Sequence, residues 1–229
     1  GMRLPDLLSG LIDPPDSDGD GNPDVPPVRD LHLGVITSDM GTMGHRVDTC
    51  SSPDGGDDGC FQHDSSPAVG GCAAGYSPFL SRNPGNSATY TADQMAGDFS
   101  CIATLGTNGC GFEQQFKAMC KATIDNAAPG ACNAGFLRED SIIAVVFVTD
   151  ENDCSVDPAH PEMFDESRRD LGHLNVRCFL HPDYVESVDG YFTALRSLRA
   201  DTRKIVLAMI VGVPPDAPAC NGTGETLAG

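Results

Sequence analysis

Leu4, Leu7, Leu8, Leu11 and Ile12 recur at the spacing of one apolar helix face, and the run stops before Pro14-Pro15. A strand is expected at LHLGVITS (31–38), centred on Val35 and Ile36. Residues 41–87 then lose all periodicity. Gly, Ser, Asp and Pro dominate there, with Cys50, Cys60 and Cys72 spaced among them, which predicts a disulfide-tied excursion carrying at most a short hairpin. Helical patterns return at 91–106 and 111–125, the second with Phe112, Phe116, Met119, Cys120 and Thr123 on one face. SIIAVVFVTD (141–150) is apolar without alternation, as in a strand covered on both faces. A second polar excursion (151–186) holds Cys154 and Cys178. A helix over 187–200 turns Val188, Tyr191, Phe192, Leu195 and Leu198 inward, and KIVLAMIVGV (204–213) repeats the doubly covered strand. Strand, helix, strand with such strands predicts a mostly parallel sheet with helices on both faces. Neither a repeat nor a low-complexity linker divides the chain, so a single domain over 1–229 is expected.

Charge narrows the partners. Against 14 Lys and Arg stand 33 Asp and Glu, a formal net charge of −19. Such a surface repels phosphate backbones and anionic lipid, which argues against nucleic acid, while carboxylate oxygens suit hard cations. The longest apolar run, 205–213, is too short to span a bilayer, so no membrane insertion by this segment is expected. Ten cysteines, an even number without any CxxC pair, predict five disulfides in an oxidising compartment. Many pairings are open; Cys101–Cys110 and Cys120–Cys132 are near in sequence. Gly1-Met2 reads as a scar of tag removal, and a helix beginning at the first residues reads as part of a longer element. The expectation is an exported soluble domain (periplasmic, cell-surface or secreted), anchored by a segment outside this sequence.

In AVVFVTDENDCS (144–155) the apolar run ends at Asp150, and Glu151, Asp153 and Cys154 follow. Ligands of open α/β sheets bind beyond the carboxyl ends of the strands, so these acids stand where a metal or polar ligand docks. The competing reading is that Asp150 and Asp153 bond loop amides as Asx turns. SIIAVVFVTDENDCS, LGTNGCGFEQQFKAM (105–119) and LHLGVITSDMG (31–41), taken together, resemble the von Willebrand factor A-like domains of cysteine-rich secreted bacterial proteins. The resemblance runs over roughly residues 1–213. It implies a Rossmann-like three-layer sandwich with disulfide-tied loop insertions and a metal-ion-dependent adhesion site on the sheet's top edge. Of that site's three inputs, Thr107 in GTNG and Asp150 in VTD match two, while the Asp-x-Ser-x-Ser motif after the first strand is absent. The family's first strand is therefore expected to be missing. Mg2+ is expected to bind only if other ligands are supplied.

DSDGDGNPD (16–24) sets Asp16, Asp18 and Asp20 at alternate positions, followed by Gly21, Asn22 and Asp24. This is the core of a calcium loop, in which alternation wraps carboxylates around one ion and Gly21 permits the bend. Pro27 stands where an EF-hand needs a bidentate Glu, so the loop resembles the shorter, weaker Ca2+ loops of extracellular modules; an acidic linker is the plain alternative. No HExxH, GxSxG or phosphate-loop pattern occurs. Beside a purely structural relic whose ion site has decayed, two functions remain. One is a non-enzymatic binding or adhesion module that recognises a protein partner at the carboxyl edge of its sheet. The other is a metal-assisted hydrolase in which Asp150, Glu151 and Asp153 share one ion.

Overall fold

The apolar face of the first segment forms a helix as its spacing requires. In the computed structural model, which describes residues 4–212, α1 spans Leu4–Ile12. Leu4's side chain, Val213 of the last expected strand, and Cys220 lie outside what is described. Leu8 and Ile12 are buried, whereas Leu7 and Leu11 remain exposed. The strand expected over 31–38 is shorter: β1 is only Leu31–Leu33, paired antiparallel with β2, Leu80–Arg82. Beyond Leu33 the backbone turns to other partners. The Phe61 ring lies so close to Gly34 that an added Cβ would sit 2.6 Å from it. Val35 O accepts from Gln62 N and Ser38 O from Gln114 N. The short hairpin expected within 41–87 does not form: β2, near the end of that stretch, pairs instead with β1, which precedes it.

Helix α2, Ala92–Ala103, opens with a capping box in which Thr91 and Gln94 each accept from the other's amide. It buries Met95, Ala96 and Ile102 against Leu8, Ile12 and Leu80, forming one apolar cluster; each large side chain so buried contributes about 1.5–3 kcal/mol. Helix α3, Gln115–Cys120, continues as a π-helical turn, Lys121–Asp125. Buried Asn133 holds the Cys-rich excursion against that turn: its Nδ2 donates to Gly59 O and Ala122 O, and its Oδ1 accepts from Phe61 N. A second cluster joins Val47 and Phe112 to Val156, Met163 and Phe164 of the later excursion.

Strand β3, Ile143–Thr149, pairs in parallel with β4, Ile205–Val211, in the register Ile143↔Ile205 through Thr149↔Val211. Between them come the short helix α4, Arg177–Leu180, and α5, Val188–Ser197. Tyr191 and Leu195 of α5 and Met119 of α3 pack on Phe147, with Val145 and Ile205 beside them; Val188, expected inward, is exposed. The described residues thus hold two two-stranded sheets rather than one layered sheet, and helices cover only one face of β3–β4. The expectation of strands covered on both faces is corrected here: β3 buries one side, and six of the seven β4 residues are exposed.

Four disulfides fix the loops: Cys50–Cys110, Cys60–Cys132, Cys72–Cys101 and Cys154–Cys178. They replace the near-neighbour pairs Cys101–Cys110 and Cys120–Cys132 and leave Cys120 a free thiol. Bonds of this number belong to an oxidising environment. Among the described residues no helix is long and apolar enough to cross a membrane.

Candidate binding rim at the carboxyl end of β3

The loop leaving β3 returns at once to α3. Asp153 Oδ1 accepts from Phe116 N at 2.9 Å, and Ser155 Oγ accepts from Lys117 N at 3.2 Å. The two side chains therefore satisfy donors that the first turn of α3 leaves unpaired. Ser155 in turn donates to Asp153 from its hydroxyl and its amide, each at 3.0 Å. Burial lifts the Asp153 carboxyl above its ordinary value, with the amide bonds opposing. Gln115 closes the rim: with its oxygen toward Thr149 Oγ1 at 2.9 Å, its nitrogen donates to Glu113 O and to Asp153 Oδ1. Glu113 O accepts from Cys154 N, and its carboxylate accepts from Ser38 Oγ.

Asp39, which is buried, closes the neighbouring loop. Its Oδ1 accepts from Gly41 N at 2.9 Å and its carbonyl from Asp57 N. Gly56 adopts φ +58 and a Cβ there would lie 2.1 Å from Asp39 Oδ1, so only glycine fits. Burial first, and the Asp57 charge after it, raise the Asp39 carboxyl above its ordinary value.

The acids singled out after β3 do not converge on one volume. Asp150 and Glu151 are exposed, and among the described residues their carboxylates make no hydrogen bond; the main chain of Glu151 meets Thr149 Oγ1, its amide donating and its carbonyl accepting. Thr107 is exposed in the turn between α2 and α3, and its hydroxyl is likewise without a hydrogen bond. One carboxylate and one hydroxyl supply too few oxygens by themselves for the octahedral shell of Mg2+, so the ion would need further ligands there. Asp153 takes the capping role; Asp150 does not. Ser38, Glu113, Gln115 and Ser155, which complete the rim, lie within or beside the same quoted motifs, but nothing in their residue types distinguished them.

Among the described residues, Asp16, Asp18 and Asp24 are the one group of three acids, histidines or cysteines whose ligand atoms come within 4.8 Å of one another. Asp16 accepts from the amides of Gly19, Asp20 and Gly21, which holds its carboxyl below the ordinary range, and Asp24 accepts from Ser17. Asp20 is turned to Asn22. Three exposed carboxylates therefore face one volume, and Asp20 is not among them.

Beside the rim lies the uncovered side of β3–β4. The register places Ala144, Val146 and Val148 opposite Val206, Ala208 and Ile210. All six are exposed, Val148 at 59 % and Ile210 at 53 %. The strip contains no polar side chain. Parallel sheets are otherwise found covered on both faces. No family model matches the chain, and no curated protein or solved structure does.

Proposed function

We propose that this is an exported, non-enzymatic binding module of the von Willebrand factor A-like kind, in which a protein partner docks on the β3–β4 sheet next to the rim at Asp150. The observation that carries the reading is the apolar strip of Val146, Val148, Val206 and Ile210 beside open strand edges. Such a patch on an oxidised, strongly acidic domain marks an interaction surface, and an open strand edge supports pairing with an added strand. In the same reading the loop at Asp16, Asp18 and Asp24 takes Ca2+ as a structural ion. The rim takes Mg2+ only when a partner brings further oxygen ligands to Asp150 and Thr107. A hydrolase is the weaker reading, because Asp150, Glu151 and Asp153 do not meet on one volume and Asp153 is engaged in capping α3.

Photo-crosslinking tests the reading. A photo-reactive residue at position 148 or 210 should capture a discrete protein from the oxidising compartment, whereas one at exposed Glu166 should not. The captured protein, once purified, should bind in calorimetry and lose at least tenfold affinity to Val148→Asp, about 1.4 kcal/mol. Capture that is equal at all three positions, or binding indifferent to Val148→Asp, refutes it.

A further inference from the structure

Met40, Met43, Ile124 and Tyr191 are apolar residues lining a groove of about 820 Å³. Residues of α3, of the π-helical turn after it and of α5 border the groove, together with loop residues between 40 and 58. The apolar strip lies on the face of β3–β4 that α3 and α5 leave uncovered, so the groove is a separate surface. Gln114 also lines it and is 1 % exposed. Its main-chain N donates to Ser38 O at 3.1 Å and its Nε2 to Gly41 O at 2.9 Å, which fixes the side chain. Its Oε1 is, among the described residues, the buried side-chain atom with no hydrogen-bond partner. A buried acceptor of this sort is rarely left without a donor.

Charge gives the second requirement. Five acids and two lysines line the groove. Lys117 is paired with Glu186 at 3.4 Å and donates to Val156 O at 2.7 Å. Lys121 is paired with Asp58 at 3.7 Å and Asp125 at 3.5 Å. Asp54 and Asp157 have no cation beside them among the described residues. An occupant that meets both requirements is positive, carries N–H donors and passes apolar side chains to reach Gln114. A guanidinium has five donors and is more weakly hydrated than an ammonium, and its stem packs on apolar surface. We propose that the groove takes an arginine side chain of a partner polypeptide, with a guanidinium N–H donating to Gln114 Oε1, the stem against Met40 and Met43, and Asp54 and Asp157 balancing the charge. Methionine thioethers adapt to such a stem. Met43 and Asp58 are, among the described residues, the two non-glycine residues at positive φ, 50° and 49°. Both line this groove, and backbone held in that region gathers at ligand sites. The site is independent of what β3–β4 binds.

Chemical-shift mapping on the oxidised full chain tests it, with the blocked pentapeptide acetyl-Ala-Leu-Arg-Leu-Ala-amide as probe. The amides of Met40, Met43, Lys121 and Tyr191 should shift most, and the shifts should saturate by about 5 mM peptide. With citrulline in place of arginine, which keeps N–H donors and loses the charge, binding should weaken about tenfold. Lysine should bind less tightly than arginine, and norleucine, with neither donor nor charge, should give no saturating shift. Asp54→Asn removes an exposed, unpaired carboxylate and should weaken the arginine peptide roughly threefold, whereas Glu166→Gln, outside the groove, should not. Gln114→Glu keeps an acceptor and adds charge, so it should tighten binding; it gives up the bond to Gly41 O, and Asp54→Asn decides the matter if it does not fold. Norleucine or lysine binding as tightly as arginine, shifts scattered over the acidic surface or centred on β3–β4, affinity indifferent to Asp54→Asn, or no shift at all would each overturn the proposal.

Discussion

Arg177→Met should unfasten the second excursion while leaving the α1–α2 cluster intact. The Arg177 side chain begins α4 and is 1 % exposed. It donates to five main-chain carbonyls: Nε to Gly172 at 3.1 Å, Nη1 to Glu162, Met163 and Asp165 at 3.3, 3.0 and 2.8 Å, and Nη2 to Arg168 at 2.7 Å. Carbonyl dipoles thus take up a buried charge and pull the irregular chain of 162–172 around one guanidinium. A hydrogen bond to a charged group contributes about 1.5–3 kcal/mol. Five on one group do not add, because they share its desolvation. Removing one partner of a buried charged network costs about 3–5 kcal/mol, and that is the loss expected for Arg177→Met, which keeps much of the stem's volume and no donor. Arg177→Lys has three donors and no planar fork, so a loss of about half is expected.

Hydrogen exchange read by mass spectrometry, with disulfides intact, locates the effect. The amides of Asp165, Arg168, Leu171 and His181 are hydrogen-bonded within this loop. Their protection should fall roughly a hundredfold or more, since 1.4 kcal/mol is tenfold. The amides of α2 should keep theirs, because Cys154–Cys178 staples the loop as a separate unit. Unchanged protection over 161–181, or a loss spread evenly over α1 and α2, would refute the role given to Arg177.

Stability should also depend on pH through Asp39 and Asp153. Both folded values lie above the ordinary 3.8, so the folded state favours the neutral acid; the stability this contributes is full below 3.8 and is lost as pH rises through the raised values. Urea midpoints of Asp39→Asn should therefore fall less than those of the wild type between about pH 4 and about pH 7, and an identical slope would contradict the assignment. Calcium should raise the melting temperature with a dissociation constant of about 10⁻⁴–10⁻³ M, and Asp16→Asn should abolish that rise. No shift at about 10 mM calcium would leave residues 16–24 as an acidic linker.

The sequence pattern located α1, α2, α5, β3 and β4 to within a few residues because their apolar spacing is local. What it could not supply was pairing. Residues 31–38 look like a strand of the main sheet, yet Gly34 under the Phe61 ring and the Val35–Gln62 bond divert them into the excursion. The disulfides join cysteines 24–72 residues apart, a matter of tertiary approach that spacing does not encode. Doubly apolar strands predicted two covers; α3 and α5 supply one. The acids after β3 were legible as a group, but their separate roles were not. Whether a carboxylate meets the amides of α3 depends on where that helix starts, and α3 starts four residues later than its periodicity indicated.

Those separate roles define what a partner of the rim would meet. Asp39 and Asp153 already accept backbone amides, and turning either outward would strip donors from a loop or from α3. Among the described residues the carboxylates of Asp150 and Glu151 and the hydroxyl of Thr107 make no hydrogen bond, so engaging these groups breaks none. The apolar strip ends next to Asp150, since Val148 precedes Thr149 and Asp150 directly. Apolar contact along β3–β4 and charge at its carboxyl end thus lie on one continuous surface. On the proposed reading, the complement is an extended apolar segment with a basic group, or an oxygen-ligated cation, at the end that meets Asp150. With a net charge of −19 on the chain, a basic partner also gains in encounter rate, and that gain falls with added salt. Measured against ionic strength, an association rate that drops while dissociation holds steady is the signature expected of such a surface.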